Sequence, residues 1–368
     1  MSATAVTPGS FVRRDSERPL PAPVRQQKAL LRVLFGDLFS AMVTVLLAAL
    51  LLMLLPRLLA WAVVNGVWSG DGADCRNAGA CWAFLREKGP LVLFGIYPPD
   101  ERWRPIVVIV MVIALTLWTL APSHWTMRSL IAWIVTTLAS IVLMAGGVFG
   151  LSAVPTSAWG GLPVTILLTV LSLGLGFPLA IVLALGRQSV LPAIRILCVL
   201  AIEIVRGLPL LSMLFIASIM LPIMLPDGMS IDIFLRAIVA LTIFCAAYLA
   251  EVIRGGLQAI PKGQREAAEA LGLSWLQLTR LIILPQAISK VIPPLTNTVV
   301  VTVKNTSLVL VIGLFDLLSA SRTALTDPAW PAPYAETFLF VAFIYFVICF
   351  GISRYSLWLE RRAAIGAR

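Results

Sequence analysis

The chain has 368 residues, 60% of them hydrophobic and only 12% charged, with a mean hydropathy of +0.96 and a formal charge of +10. That apolar share is far above the roughly 45–50% of soluble domains, and several runs exceed the about 20 residues needed to cross a hydrocarbon core. The basic excess sits in short segments beside apolar runs, which points to membrane orientation and away from nucleic-acid binding.

Residues 1–36 are polar, proline-bearing and basic (Arg13, Arg14, Arg18, Arg25, Lys28, Arg32), and are predicted to form a disordered cytoplasmic tail. The run at 38–64 is too long for the h-region of a signal peptide, and no small-residue cleavage site clearly follows it, so it reads as a retained span. Further spans are predicted near 106–120, 130–151, 162–186, 191–225, 233–252, 288–318 and 338–359. The leucine-rich runs lack strand-like alternation, and a spanning helix satisfies its own backbone hydrogen bonds. The fold class is therefore an all-α polytopic membrane protein of about eight transmembrane helices.

With the first tail inside, cytoplasmic loops hold Arg128, then Arg187 and Arg195, then Arg254 to Arg280, and the basic tail 361–368 holds Arg361, Arg362 and Arg368. Lys and Arg thus gather on one side, as the positive-inside rule requires, and both termini are predicted to be cytoplasmic. Residues 37–155 form a three-helix N-terminal membrane extension with an outer loop near 65–105, and 160–360 hold the remaining five helices. The outer loop carries Asp71, Asp74, Asp100, Glu101 and a tryptophan cluster suited to a membrane interface. A second outer loop at 320–336 is rich in proline and alanine, and no extramembrane segment is long enough to bury its own core.

Cys198, Cys245 and Cys349 lie in apolar runs as small packing residues, whereas Cys75 and Cys81 share the outer loop, either bridged or as two free thiols. The single histidine, His124, argues against metal chemistry and leaves no nucleophilic triad to assemble.

The most informative polar segment is 263–287, GQREAAEALGLSWLQLTRLIILPQA, within a loop spanning 258–287. Pro261 and Gly263 break the preceding span, and a short helix is predicted over 264–271 with Glu266 in its first turn, where a carboxylate complements the helix dipole. Gly272 suits a left-handed helix end, and Ser274 with Gln277 makes a capping box for a second helix running to Pro285. Leu271, Leu276, Leu278 and Leu281 are available for burial, and Ala267 and Ala268 are small enough for close approach to another surface. Composition alone reads as an amphipathic interfacial helix. The spacing says more. Glu266-Ala267-Ala268, Gly272, Ile282, Leu284 and Pro285 fill every fixed position of E-A-A-x3-G-x9-I-x-L-P. The segment resembles the loop by which permease subunits of binding-protein-dependent ABC importers dock onto their ATPases.

Three further runs resemble the polar-amino-acid branch of those permeases: Glu203-Ile204-Val205-Arg206-Gly207-Leu208-Pro209, the run 247–256 containing Tyr248, Glu251 and Arg254, and Lys304-Asn305-Thr306-Ser307-Leu308. Asn305 stands where many relatives carry aspartate, so no charged role is given to it. Glu203, Arg206, Gly207, Pro209, Tyr248, Glu251, Lys304, Asn305, Thr306 and Ser307 are the candidates for a translocation path, since ionisable residues inside spans are costly. Each has a plainer reading. Glu203 and Arg206 can simply pair at i,i+3, Glu251 and Arg254 can form a helix-end salt bridge, and Lys304 can pair with a buried carboxylate or snorkel to an interface. Gly207 and Pro209 loosen their helix into a gate-like break.

The resemblance covers about 162–359. The longer chain is most similar to the M-type subunit of the general L-amino-acid permeases, and its extra N-terminal helices read as peripheral packing or assembly. The resemblance implies a permease subunit, not an enzyme, of the bacterial inner membrane, importing L-amino acids. No phosphate-binding G-x-x-x-x-G-K-[ST] loop is present, so no cofactor is expected here and ATP belongs to a separate ATP-binding subunit. Its other implied partners are a second homologous permease and a periplasmic solute-binding protein. The alternatives are the same machinery serving one acidic amino acid or an opine, and an ion-driven secondary transporter, against which stands the lack of a detectable inverted repeat.

Overall fold

A computed structural model describes residues 34–226 and 228–366. The tail predicted at 1–36 and the extreme C terminus lie almost wholly outside the described residues. Helix α1, Leu38–Leu59, begins where the Asp37 carboxylate accepts the Ser40 N–H at 3.1 Å, and its leucine-rich sequence carries no charge until Arg57. Pro56 removes an N–H from its interior, and a π-turn at Ala60–Val64 follows. The helix buries none of its side chains within its own unit, as suits a span facing lipid.

The second unit begins at Asn65. Its first segment contains an element inside the predicted outer loop 65–105, helix α2, Trp82–Phe94. The loop before α2 is closed by a disulfide between Cys75 and Cys81. Phe84 and Val92 of α2 pack with Leu317, Ala324, Trp330 and Val341 from the far end of the chain. Polar contacts pin the same contact: the buried Glu336 carboxylate accepts the Cys81 N–H at 2.8 Å, and Lys88 pairs with Asp327 at 2.6 Å. Two further helices of the extension follow, α3 at Trp103–Thr119 and α4 at Met127–Ala145. The Arg104 guanidinium, 1% exposed, holds Ser152 of the next linker and pairs with Glu101 at 2.7 Å.

The centre of the bundle is the pair α5, Gly161–Gly186, and α8, Ile233–Gln258, the most enclosed span. Between them lie α6, Pro192–Gly207, and α7, Leu210–Met224, bent by 103° at Leu208–Pro209. The predicted span 191–225 is thus a broken one. Pro209 cannot continue α6, and Leu208 before it takes an extended ψ of 137°. Two apolar layers fill the interior. One joins Val164, Leu167 and Leu168 to Leu210, Leu214, Phe234 and Leu241; the other joins Ala180, Ala184 and Ile202 to Leu249, Ile253 and Leu257.

A π-turn at Ile216–Met220 lies inside α7, two residues before Pro222. Because Pro222 offers no N–H, the Ser218 carbonyl loses its usual helical partner, and the Arg236 guanidinium donates to it instead. After the loop segment described below come α11, Ile292–Asn305, α12, Leu317–Ala324, and the long α13, Tyr334–Gly366. The predicted span 288–318 therefore ends sooner. Its last part is a 3-10 stretch, Thr306–Ile312, closed by Gly313, and α12 occupies the start of what reads in sequence as a loop. The buried Asp316 caps α12 by accepting the Leu318 and Ser319 N–H groups at 3.0 Å each.

Candidate docking elbow and charged cluster

The segment after α8 folds as two helices meeting at an elbow. The first, α9, is Lys262–Ala270, beginning directly after Pro261. Because it starts two residues earlier than predicted, Glu266 falls in its second turn rather than its first. The dipole argument for that carboxylate is thereby lost, since the effect fades beyond the first turn. The helix closes with Gly272 at φ +76°, and the Leu273 N–H reaches back to the Ala268 carbonyl at 3.2 Å. Ser274 and Gln277 form the reciprocal capping box that opens α10, residues 275–290.

Pro285 does not end α10. A π-turn at Thr279–Ile283 precedes it, as at Pro222, and the helix runs on to Lys290. Ala268, Leu278, Ile283 and Ala287 are buried against Ile253 and Leu257 of α8. Close seating depends on Gly256, where a Cβ would lie 2.6 Å from the Ala287 carbonyl oxygen. The Lys290 ammonium adds a bond to the Ala259 carbonyl at 2.7 Å.

This seating corrects two expectations. Of the four leucines available for burial only Leu278 is buried, while Leu271, Leu276 and Leu281 are 81%, 64% and 64% exposed. Of the two small residues, Ala268 serves the elbow's own packing and Ala267 faces outward beside Glu266. Ile282 and Leu284 are half-buried and Pro285 is exposed. With Trp275 also 60% exposed, the elbow presents an apolar, partly charged outer surface on a rigid seat.

Above the elbow, three helices bring five charged side chains together. The Nη1 of Arg187, at the end of α5, lies 2.9 Å from Glu203 of α6 and 3.2 Å from Glu251 of α8. Arg254 pairs with Glu251 along α8, its Nε donating at 3.0 Å, and its Nη1 donates to Gln258 at 2.6 Å. Arg206 stands 3.8 Å from Glu203 and 3.7 Å from Glu251, over the ring of Tyr248 at 5.9 Å. The pairings read from i,i+3 spacing are present, but they are parts of a larger network whose hub is Glu251. Gly207 and Pro209 flank the break immediately beyond it.

The run 304–307 lies apart from this network, at the end of α11. Thr306 is buried with its hydroxyl on the Val303 carbonyl, and Ser307 donates to the Lys304 carbonyl, turning the helix toward its 3-10 stretch. Asn305 is half-buried, while Lys304 is exposed and makes no ion pair among the described residues. Of the plainer readings of Lys304, pairing with a buried carboxylate is not seen among the described residues. Sequence reasoning missed Arg187 as a member of the cluster, because its partners are 16 and 64 residues away.

The chain as a whole has relatives among known proteins. Residues 176–365 match the family described as binding-protein-dependent transport system inner membrane component. The chain belongs to this family. It is 43% identical over 361 residues to the inner membrane amino-acid ABC transporter permease protein YhdY of Escherichia coli, covering 95% of this chain and 97% of that protein. It is 35% identical over 425 residues to the glutamate/glutamine/aspartate/asparagine transport system permease protein BztC of Rhodobacter capsulatus, covering 96% and 98%. A crystal structure of an amino acid ABC transporter with histidines shares 35% identity with 55% of this chain and 92% of its own, at a TM-score of 0.49. The protein is thus a multi-pass membrane permease subunit of the ABC importer class, in which ATP hydrolysis falls to a separate ATPase.

Proposed function

We propose that this permease subunit imports L-amino acids of broad range across a bacterial inner membrane, driven by ATP. The observation that carries the reading is similarity along nearly the whole chain, extension included, to the two amino-acid permeases above. The working unit would join this chain to a second homologous permease, two ATP-binding subunits and a periplasmic solute-binding protein. ATP draws the ATPases together, and the elbow passes that closure to the membrane helices.

Glu266 and Ala267, with the exposed Leu271 and Trp275, form the docking contact, Gly272 shapes the turn that presents it, Ala268, Ile282 and Leu284 build its seat, and Pro285 lies exposed at the edge. The elbow and both termini face the cytoplasm. The disulfide end then faces the oxidising side, where such bonds persist. Of the charged path candidates, Glu203, Arg206 and Glu251 are held by one another, and Lys304 is free to meet a solute carboxylate between Asn305, Thr306 and Ser307.

Uptake of a labelled L-amino-acid panel in cells lacking this chain, complemented with wild type or Glu266→Lys, tests the proposal. Wild type restores uptake of many amino acids, while the variant inserts but does not. Wild-type uptake by Glu266→Lys would refute the docking role. The name of the Rhodobacter relative favours a second reading, a range limited to acidic amino acids and their amides. Loss confined to those solutes would select it.

A further inference from the structure

We infer that Arg187 is a positioning residue that ties the elbow-bearing helix α8 to the broken pair α6–α7, so that a displacement of the elbow reaches the break at Leu208. The inference rests on the import reading above and names the connection inside this chain.

Four observations carry it. A single nitrogen of Arg187 holds carboxylates from two helices, at 2.9 Å on α6 and 3.2 Å on α8. From Glu251 the bonds continue through Arg254 to Gln258, the last residue of α8 before the elbow segment. Bonded contacts therefore run unbroken from the elbow's root to Glu203, four residues before the end of α6. Arg206 sits too far from either carboxylate, at 3.7–3.8 Å, to direct the arrangement in the same way, and it balances charge instead.

The third observation is that apolar packing fixes α6 only weakly. Ile202 is its one buried residue, whereas Ile196 and Leu197 are 55% and 68% exposed. Within this chain the ionic contact adds to that single apolar anchor in holding α6 against α5 and α8. Finally, α6 ends in a 103° bend with Gly207 before it and Pro209 after it, a joint at which a tilt can be taken up. Coupling between sites needs such an element with two arrangements that both ends can bias. Three arginines against two glutamates also leave the network one positive charge in excess. A carboxylate released from one partner thus has another cation within reach.

The test uses the whole transporter, with both permeases, the ATPases and the binding protein, reconstituted in vesicles. Uptake and ATP hydrolysis are measured together for wild type and Arg187→Ala. We expect hydrolysis to continue while uptake per ATP falls at least about fivefold, the lower end of ordinary coupling energies. An unchanged ratio would overturn the inference, including the case in which both rates fall together, as a merely structural role predicts. Should Arg187→Ala fail to insert, Glu203→Gln keeps an acceptor for Arg187 but removes the charge, and must lower the same ratio by a smaller factor.

A second readout needs no cargo. Spin labels at Leu200→Cys and Leu271→Cys, both exposed, are introduced with Cys198, Cys245 and Cys349 replaced by serine. Wild type should give one narrow distance and Arg187→Ala a broad one; equal widths would overturn the proposal. If wild type proves inactive with every amino acid, the import reading fails while the distance measurement still decides the role of Arg187.

Discussion

Gly272→Ala separates two reasons for a glycine at the elbow. Gly272 has φ +76°, and a Cβ built there meets nothing within 4 Å, so the cost of alanine is one of backbone conformation alone. A left-handed L-residue costs about 1–2 kcal/mol, and removing glycine's freedom from the unfolded chain returns about 0.4–1, leaving a net loss near 1 kcal/mol. At 1.4 kcal/mol per tenfold, the turn opens about fivefold more often. If the wild-type elbow is stable by about 2 kcal/mol or more, most molecules stay folded, and affinity for the ATPase falls less than about twofold. Asparagine, which tolerates the left-handed region, should behave almost as glycine does. Hydrogen exchange of the α9 amides reads the opening, and binding of the purified permease to its ATPase reads the docking. Loss of binding beyond about tenfold by both alanine and asparagine would refute the conformational argument. It would mean that the partner surface lies where the Cβ would be.

The disulfide loop and helix α2, which together form a cap packed on Leu317, Trp330 and Val341, give two more tests. The disulfide closes a loop with a sequence separation of 6, so Cys75→Ser with Cys81→Ser should cost about 2 kcal/mol of cap stability. Faster hydrogen exchange in α2 checks this, and unchanged exchange contradicts it. Hydrogen bonding from Lys88, then from the Ala329 N–H, holds the Asp327 carboxyl below its ordinary pKa, and hydrogen bonding to Asp327, then Glu87, raises that of Lys88. A lowered carboxyl gives stability that is present above its unfolded pKa and lost as pH falls through the folded one. A raised ammonium gives stability that is present below its unfolded pKa and lost as pH rises through the folded one. The pair therefore holds through neutral pH, and α2 should loosen below about pH 4. Asp327→Asn should abolish that acid step in α2 exchange, and its persistence would assign the step elsewhere.

What the sequence could supply depended on how local each cause was. The existence of the long apolar helices, the capping box at Ser274 and Gln277, and the left-handed Gly272 follow from neighbouring residues, and all are present. Helix α2 lies inside the segment predicted as the outer loop 65–105, and its stability comes from Leu317, Trp330 and Glu336, more than 200 residues away. Pro285 misled for another reason. A proline inside a helix leaves a carbonyl without its N–H partner, and the helix survives where a wider turn precedes it, as Thr279–Ile283 precedes Pro285 and Ile216–Met220 precedes Pro222.

The charged cluster makes the same point for function. Read along the chain, Glu203 with Arg206 and Glu251 with Arg254 are two ordinary i,i+3 pairs, each sufficient to explain itself. Neither pair implies the other, and Arg187 reads only as one more cytoplasmic-side cation. In the folded unit, Arg187 turns two local pairs into one network by bonding to a carboxylate of each. The consequence is physical as well as descriptive. Two independent surface pairs would contribute about 0–1 kcal/mol each and could be lost separately. A shared guanidinium instead makes each carboxylate's position depend on the other helix. Double-mutant cycles between Glu203→Gln and Glu251→Gln should therefore show a coupling of at least about 0.5 kcal/mol in cluster stability, although the two glutamates share neither a helix nor a direct bond.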